Sequence, residues 1–243
     1  MQAIVMAGGL GTRLRPFTIT IPKPLLPLGD KPIIDILLAQ LHQAGFTKVK
    51  VCLGFMASLF QNFLGDGSRH GLTIDYVLEE KPLGTAGALR TISDLEEDFL
   101  VLNGDTLTDL NFGALLEAHK SAGVYGTICT AKIDEFVDYG VVEFDSETQH
   151  LIRYIEKPTR HYHVSTGIYG LSKRILDFAV PDESGRLDMP DLFRTAASKG
   201  RPILCYTQEN AYWRDIGRFD HYEAASKDYQ ENPGRFLRAP SRQ

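Results

Sequence analysis

Glycines and basic residues cluster near the start of the chain in a pattern that could bind phosphate. Residues 8–16 read GGLGTRLRP and residues 22–24 read PKP, so Arg13, Arg15 and Lys23 lie close to three glycines. Glycines let the backbone approach an anion, backbone N–H groups can converge on it, and the cations neutralise its charge. A glycine-rich turn with solvated arginines is the structural alternative, but such a turn has little need for three cations. We therefore expect a polyanionic substrate.

The spacing of these glycines differs from that of two common nucleotide motifs. No Lys-Ser or Lys-Thr follows them, as the G-x-x-x-x-G-K-[ST] loop requires. The G-x-G-x-x-G spacing of dinucleotide-binding proteins is missing as well. The sequence therefore favours neither of these two classes.

An aspartate follows an apolar run in the middle of the first half of the chain. Residues 99–102 are typical of a central buried strand, and Asn103, Gly104 and Asp105 come directly after them. Ligands of open α/β sheets bind outside the carboxyl ends of the strands, so Asp105 is placed for chemistry. A lone aspartate at a strand end is more often a turn residue or a helix cap, so the interpretation depends on the motifs around it.

The elements that would position these residues alternate between strands and helices. The apolar run at 3–7 is typical of a buried parallel strand, and apolar residues then recur at helical spacing from 33 to 41. Such alternation predicts a parallel or mixed sheet with helices on both faces. Further strands are predicted at 49–53, 72–78, 126–133 and 202–207, and further helices at 56–64, from 88 to about 95, 112–122, 188–200 and 219–229.

The chain changes character after residue 133. The segments 139–145, 151–155 and 167–171 are strand-like, with turn residues and no long helix between them. We interpret them as a smaller, more antiparallel part that folds over the sheet edge. The last residues, 233–243, contain Pro233, Gly234 and three arginines, and we predict a mobile tail. The arginines are Arg235, Arg238 and Arg242.

Composition narrows the class of protein. A chain of 243 residues can bury a sizeable core, and a net charge of −5 argues against a general nucleic-acid binder.

The sequence shows no signal-peptide pattern and no apolar run near ~18 residues, so we expect a cytoplasmic protein without a membrane partner. Cys52, Cys129 and Cys205 lie in strand-like runs without metal-type spacing, so we expect three small buried side chains, no disulfide and no zinc.

Taken together, the motifs resemble the signature of the sugar-1-phosphate nucleotidyltransferases, also called NDP-sugar pyrophosphorylases. The resemblance begins with residues 8–16 and 22–24, continues in the family's order over nearly the whole chain, and looks closest to mannose-1-phosphate guanylyltransferase-like members. It implies an α/β fold of the Rossmann-like, three-layer α/β/α type with a mixed, mainly parallel sheet. The further motifs are LGTAG at 83–87, NGD at 103–105, YGVVE at 139–143, EKP at 156–158 and WRDIG at 213–217.

The resemblance also implies a role for each motif. Arg13, Lys23 and Asp105 are the implied catalytic residues, and Asp105 with Asp215 would bind Mg²⁺ as the cofactor. The implied nucleotide-binding residues are Ala7, Gly8, Gly9, Gly11, Thr12, Arg13, Glu79, Gly84, Thr85 and Asn103. The implied sugar-phosphate-binding residues are Gly140, Glu156, Lys157, Thr166 and Gly167.

The resemblance further implies a single nucleotidyltransferase domain over residues 1–232. Its nucleotide-binding half would span about 1–133 and its sugar-phosphate-binding half about 134–217. The partners would be a nucleoside triphosphate and a sugar-1-phosphate, with no nucleic acid. Because the family often forms dimers or tetramers, a homo-oligomer stays open.

A glutamate pair precedes the LGTAG motif, where the family holds the nucleotide base. A carboxylate only accepts hydrogen bonds at neutral pH, and guanine offers two adjacent donors where thymine and uracil offer one. Glu79 or Glu80 would therefore favour guanine if it points into the pocket. The alternative is a solvated Glu-Glu-Lys loop.

The expected reaction is Mg²⁺-dependent transfer of a nucleoside monophosphate, GTP being favoured, to mannose-1-phosphate or a related sugar phosphate. Ser165 replaces the asparagine that we associate with guanylyltransferase relatives, which leaves mannose open. The alternatives are thymidylyl or uridylyl transfer to glucose-1-phosphate, guanylyl transfer to a heptose- or cyclitol-phosphate, cytidylyl transfer to another acceptor, and a non-catalytic binding module. His161 and His163 are interpreted as surface or pocket-rim residues rather than a metal pair.

Overall fold

The computed structural model describes residues 1–237, which fold around one mixed seven-stranded sheet. The helices are α1 (Ile33–Gln43), α2 (Ala57–Leu64), α3 (Phe112–Ala122), α4 (Met189–Ser198), α5 (Phe219–Glu231) and α6 (Pro233–Phe236). The strands are β1 (Gln2–Met6), β2 (Pro27–Leu28), β3 (Lys31–Pro32), β4 (Lys48–Leu53), β5 (Thr73–Leu78), β6 (Asp98–Asn103), β7 (Thr106–Thr108), β8 (Gly126–Phe136), β9 (Val141–Phe144), β10 (Leu151–Ile155), β11 (Thr159–Ser172), β12 (Ile203–Thr207) and β13 (Trp213–Asp215).

The strand order in the main sheet is β12-β8-β11-β6-β1-β4-β5. Neighbouring strands are parallel except that β11 runs antiparallel to both β6 and β8. Strands β9 and β10 form a separate antiparallel hairpin, and β7 pairs with β13 in another small antiparallel sheet. The predicted α/β fold with a mixed, mainly parallel sheet is confirmed.

The alternation of side chains along the central strands supplies two cores, one on each face of the sheet. In β1, Ala3 and Val5 face a cluster with α1, α2 and α3, whereas Ile4 faces a cluster with α4. A third cluster joins α5 and α6 to the segment before α1. Helices on both faces therefore bury the sheet, as a parallel arrangement requires.

Local signals set the limits of α3 as predicted. The side chain of Asn111 accepts a hydrogen bond from Ala114 N at 3.0 Å, which satisfies a free N–H group in the first turn. Gly123 ends the helix with φ of +61°, a conformation that glycine adopts without steric cost.

Three predicted elements differ from the structure. The strand predicted at 167–171 as part of the smaller antiparallel region belongs instead to β11, between β6 and β8 in the main sheet. The predicted helix up to about Leu95 is instead a short 3₁₀ helix, Gly87–Thr91, and at its start Ala86 N and Gly87 N both donate to Leu187 O. The first residues of the predicted mobile tail form α6, and Phe236 is buried there at 3% exposure. Arg238 and Arg242 lie outside the described residues.

The expectation of three buried cysteines is wrong for one of them. Cys52 and Cys129 are buried, whereas Cys205 is exposed. Cys205 belongs to β12, which is the last strand at one edge of the sheet. An edge strand leaves one side uncovered, so an apolar run there does not guarantee burial.

Candidate active site

The carboxyl ends of β1 and β6 open into a cavity of about 600 Å³. This volume suits a small organic ligand of nucleotide size. The cavity is lined by the glycine loop at residues 7–13, by the glutamate-containing loop at 79–85, and by Lys23, Asn103 and Asp105. All of the residues that we predicted to bind nucleotide line this cavity, and the structure brings them together from three separate stretches of sequence, at 7–13, 79–85 and 103.

Three glycines of the cavity-lining loop have backbone donors without a partner in the described residues. Within residues 1–237, the N–H groups of Gly8, Gly9 and Gly11 donate to no other residue. Gly11 has φ of +59°, and a Cβ atom there would lie 2.9 Å from Thr18 Cγ2, so both conformation and space favour glycine. The backbone N–H groups of these three glycines are therefore available to a ligand.

Arg13 extends from this loop toward the WRDIG motif. A Cβ atom on Gly217 would lie 3.2 Å from Arg13 Nη2 and 2.4 Å from Asp215 Oδ2. Arg13 forms no ion pair with any residue of the described chain. Its positive charge therefore borders the cavity without a permanent partner.

Lys23 lies between two carboxylates at the floor of the cavity. Its Nζ atom forms an ion pair and hydrogen bond with Asp105 Oδ2 and lies 3.8 Å from Asp215 Oδ1. The Lys23 side chain is 9% exposed, whereas those of Asp105 and Asp215 are 26% and 39% exposed. A buried ammonium group is held here by carboxylates that remain open to solvent and ligand.

Strand pairing places the two aspartates side by side although 110 positions separate them in the sequence. Asp215 pairs with Thr106 in the β7–β13 ladder, and Ile216 N donates to Asp105 O at 3.1 Å. Gly104 N donates to Met6 O at 2.9 Å, which ties the turn after β6 to the end of β1. The aspartates therefore meet at the same edge of the sheet as the glycine loop.

The loop that follows β5 forms the opposite wall of the cavity. Glu79 Oε2 accepts a hydrogen bond from Leu83 N at 2.9 Å, and a Cβ atom on Gly8 would lie 3.2 Å from Glu79 Oε1. One oxygen of Glu79 therefore shapes the loop while the other faces the glycine loop. Glu80 also lines the cavity and is exposed.

An acidic segment before α4 holds this wall in place, and no motif in the sequence predicted this role. Asp188 Oδ1 accepts hydrogen bonds from Thr85 N and Thr85 Oγ1 at 3.1 and 3.4 Å. Arg186 lines the cavity and forms a salt bridge with Asp188 at 2.9 Å. Partial burial opposes ionisation of Asp188, but the bond from Thr85 N and the contact with Arg186 together lower its pKa. No local pattern pointed to this segment, because its partners lie about a hundred residues away.

The residues predicted to bind the sugar phosphate lie in two different surroundings. Gly167, with φ of +76°, packs against Asn103, since a Cβ atom there would lie 2.3 Å from Asn103 Nδ2. Gly140, Glu156 and Lys157 do not line the 600 Å³ cavity but lie at one end of the β9–β10 hairpin. Of these four residues, Gly167 adjoins a residue that lines the cavity, and the other three belong to a neighbouring surface.

Thr166 is engaged with the protein itself. Its hydroxyl donates to Cys129 O at 3.0 Å, and its carbonyl accepts from Trp213 Nε1 at 2.9 Å. It lines a second cavity, of about 630 Å³, together with His163 and Trp213. Through Trp213, Thr166 is linked to the strand that carries Asp215.

Comparison with known proteins agrees with this geometry. A family model described as "Nucleotidyl transferase" matches residues 2–232. The chain belongs to the nucleotidyl transferase family. The predicted resemblance is thereby confirmed at the level of the family.

Named relatives share a third of the sequence with this family member. It is 34% identical over 240 residues to the protein named "Probable mannose-1-phosphate guanylyltransferase 1" of Oryza sativa subsp. japonica, covering 96% of this chain and 65% of the relative. It is 32% identical to the UTP--glucose-1-phosphate uridylyltransferase of Synechocystis sp., covering 91% of this chain and 61% of the relative. The chain thus spans less than two thirds of the length of these relatives.

A solved structure shares the fold. The crystal structure of HddC from Yersinia pseudotuberculosis superimposes with a TM-score of 0.72 at 25% identity and covers 94% of this chain and 99% of that one. None of the helices in residues 1–237 combines the length and apolarity that a membrane span requires.

The protein supplies only some of the ligands that a divalent cation needs. Within residues 1–237, no group of three or more His, Cys, Asp or Glu residues converges. Two carboxylates combined with substrate phosphates are, however, the usual way in which proteins bind Mg²⁺. Asp105 and Asp215 could therefore hold Mg²⁺ once phosphate oxygens and water complete its coordination, and this role stays a prediction.

Proposed function

We propose that this chain transfers a nucleoside monophosphate from a nucleoside triphosphate to a sugar-1-phosphate. GTP is the favoured nucleotide, and mannose-1-phosphate or a related sugar phosphate is the acceptor. The observation that carries the proposal is the Lys23 ammonium group between Asp105 and Asp215, at the floor of a cavity walled by the glycine loop. Family membership and the names of the relatives support the same class of reaction.

The chemistry needs charge control rather than a strong base. An oxygen of the acceptor phosphate attacks the α-phosphorus and forms a new P–O bond, while the bond to the β-phosphate breaks and pyrophosphate leaves with the electron pair. The attacking oxygen is already anionic, so no proton has to be removed. Catalysis then consists of holding two anions in line and neutralising the charge that develops.

The residues around the cavity suit these tasks. The N–H groups of Gly8, Gly9 and Gly11 would bind the triphosphate, and Arg13 would stabilise the leaving pyrophosphate. Lys23 would exchange its carboxylate partners for phosphate oxygens at the reacting centre. When bound by Asp105 and Asp215, Mg²⁺ would add positive charge beside the same oxygens.

Beyond the cavity, the hairpin would take the acceptor. In this proposal Lys157 anchors the acceptor phosphate and Glu156 accepts hydrogen bonds from sugar hydroxyls. Both side chains are exposed, so both are accessible to a ligand.

Glu79 is the better of the two candidates for guanine recognition. The hydrogen bond that Leu83 N donates to Glu79 holds the Glu79 carboxylate against the wall of the cavity, whereas Glu80 is exposed. The free Oε1 atom would accept a hydrogen bond from the N1–H or the 2-amino group of guanine. Burial and the negative charge of Glu79 together raise the pKa of Cys52 to about 12. The charge of Glu79 therefore also affects the protein interior beside this wall.

The reaction is tested by pyrophosphate release in the presence of Mg²⁺. Purified protein is given GTP, dTTP, UTP, CTP or ATP with mannose-1-phosphate, glucose-1-phosphate or a heptose-1-phosphate. The proposal expects the fastest release with GTP and a sugar-1-phosphate. Faster release with dTTP or UTP would reject the base assignment and keep the reaction class, and no release from any pair would reject the proposed function.

A matched pair of variants tests the role of Glu79. Glu79→Gln keeps an oxygen that can accept from Leu83 N but replaces the carboxylate, so the preference for GTP should fall by about tenfold or more. Glu80→Gln makes the same chemical change on the exposed neighbour and should leave the preference unchanged. Equal effects in both variants would contradict the assignment.

A further inference from the structure

A tyrosine hydroxyl connects two residues of the sugar-phosphate set. Tyr154 Oη donates a hydrogen bond to Glu156 Oε2 at 3.2 Å. A Cβ atom on Gly140 would lie 2.1 Å from the same hydroxyl oxygen and 2.5 Å from Tyr154 Cζ. Gly140 therefore leaves the space that Tyr154 occupies, and Tyr154 contacts Glu156 from there.

The strand ladder and the following turn fix the backbone on both sides of this contact. Tyr154 pairs with Val142 in the β9–β10 hairpin. After the strand, Lys157 N donates to Tyr139 O at 3.2 Å, and Lys157 Nζ forms a salt bridge with Asp138 at 2.8 Å. The backbone position of Glu156 is therefore set by its neighbours.

The Glu156 side chain has only one restraint of its own. Within residues 1–237, the Tyr154 hydroxyl is the one group that forms a hydrogen bond with the Glu156 carboxylate, which has no ion pair. An exposed glutamate otherwise samples several rotamers and loses that freedom when a ligand immobilises it. The hydroxyl binds one carboxylate oxygen and leaves the other free to accept from a ligand.

We propose that Tyr154 is a positioning residue that holds the Glu156 carboxylate ready to accept hydrogen bonds from the hydroxyls of the sugar-1-phosphate. This inference rests on the proposed function, because it concerns recognition of the acceptor by the same enzyme. Tyr154 takes no part in the transfer of the nucleotidyl group. Its loss should therefore weaken acceptor binding and leave the chemical step and nucleotide binding unchanged.

Tyr154→Phe removes the hydroxyl and keeps the ring. We expect the KM for the sugar-1-phosphate to rise about three- to tenfold, the range expected for one lost hydrogen bond to a charged, exposed group. The kcat and the KM for the nucleotide should stay within about twofold of the wild type. Tyr162→Phe is the matched control, since Tyr162 is a partly exposed tyrosine on β11 whose hydroxyl has no hydrogen-bond partner in the described chain. It should change none of these values.

A double-mutant cycle shows whether Tyr154 acts through Glu156. In the Glu156→Ala background, Tyr154→Phe should raise the KM for the sugar-1-phosphate no further, because the side chain that Tyr154 holds is already gone. Equal effects of Tyr154→Phe with and without Glu156 would overturn the proposal. So would a rise in the nucleotide KM as large as that for the acceptor.

Binding and titration separate failure of this inference from failure of the proposed function. Calorimetry with mannose-1-phosphate, glucose-1-phosphate and a heptose-1-phosphate, with Mg²⁺ and a non-hydrolysable GTP analogue present, should show weaker binding to Tyr154→Phe even if turnover is absent. The Glu156 hydrogen bond and charge raise the pKa of Tyr154, so NMR of ¹³Cζ-tyrosine should find that pKa lower in Glu156→Gln. Unchanged binding, binding of none of the three compounds by the wild type, or an unchanged Tyr154 pKa would each reject the inference.

Discussion

Replacing Lys23 with methionine tests the charge balance at the floor of the cavity. Lys23 Nζ contacts Asp105 and lies 3.8 Å from Asp215 Oδ1, with 9% of its side chain exposed. Methionine keeps much of the apolar stem but removes the positive charge. The two carboxylates then lose the ammonium group between them, and the phosphates lose a cation at the reacting centre.

The structure sets the size of two opposite effects. At 3.8 Å, two unit charges attract by about 1 kcal/mol in water and by about 4 kcal/mol at an effective dielectric constant of 20. Because the carboxylates are 26% and 39% exposed, we take the lower part of this range, about 1–2 kcal/mol. Without the competing ammonium group, affinity for a divalent cation in the absence of nucleotide should rise about 5- to 30-fold. In contrast, kcat/KM should fall about 10³-fold or more, as when other cationic clamps on a transferred phosphoryl group are removed.

Pyrophosphate release measures the loss of activity, and Mn²⁺ binding followed by electron paramagnetic resonance measures the gain in cation affinity. Lys81→Met is the matched control, because Lys81 lines the same cavity but donates to Ser184 O at 3.2 Å instead of pairing with a carboxylate. Both of its values should stay within about threefold of the wild type. If Lys23→Met kept activity within tenfold of the wild type, or bound Mn²⁺ no more tightly, the proposed roles of this lysine would be refuted.

Three further predictions follow from burial and charge. Asp105→Asn combined with Asp215→Asn should abolish Mg²⁺-dependent turnover in protein that its melting curve shows to be folded, because both carboxylates that would hold the ion are lost. Undiminished pyrophosphate release would remove both residues from the metal role. Cys205 is exposed and should react rapidly with a thiol reagent at pH 8 in the folded protein. Cys52 is buried, which raises its pKa to about 12, so it should react only after unfolding. Labelling of two thiols in the folded protein would contradict this prediction. Burial outweighs a nearby aspartate and lowers the pKa of His119 below its ordinary 6.5, so the unfolded chain binds the proton more readily. The stability from neutral His119 is complete above about pH 6.5 and is lost as the pH falls toward the lower folded-state pKa. His119→Gln should therefore melt with a smaller difference between pH 7.5 and 5.5 than the wild type does, and an equal difference would refute the assignment.

Local patterns in the sequence determined the elements that depend on neighbouring residues. The limits of α3 follow from Asn111 at its start and Gly123 at its end, both of which act within a few residues of themselves. The glycine loop was predictable for the same reason, because its backbone freedom and its cations lie within one short stretch. Asp105 was predictable as the residue that follows a buried strand.

Tertiary contacts decided which of these residues meet. Asp215 reaches Asp105 only because β13 pairs with β7, and nothing near residue 215 indicates that pairing. Asp188 binds Thr85 across about a hundred positions, and beside this contact a 3₁₀ helix at Gly87–Thr91 stands where a helix up to about residue 95 was predicted. Cys205 is exposed because of the position of β12 in the strand order.

The physical reason is the range of the interactions. Hydrophobic periodicity and caps act between residues up to about four positions apart, so they are written in the local sequence. Strand order and loop packing depend on which distant backbone groups satisfy one another's hydrogen bonds. The sequence by itself therefore determined the family, the fold class and the glycine loop that lines the cavity of this protein. Only the tertiary structure decided that Lys23 lies between two aspartates, and that Asp188 holds the loop that follows β5.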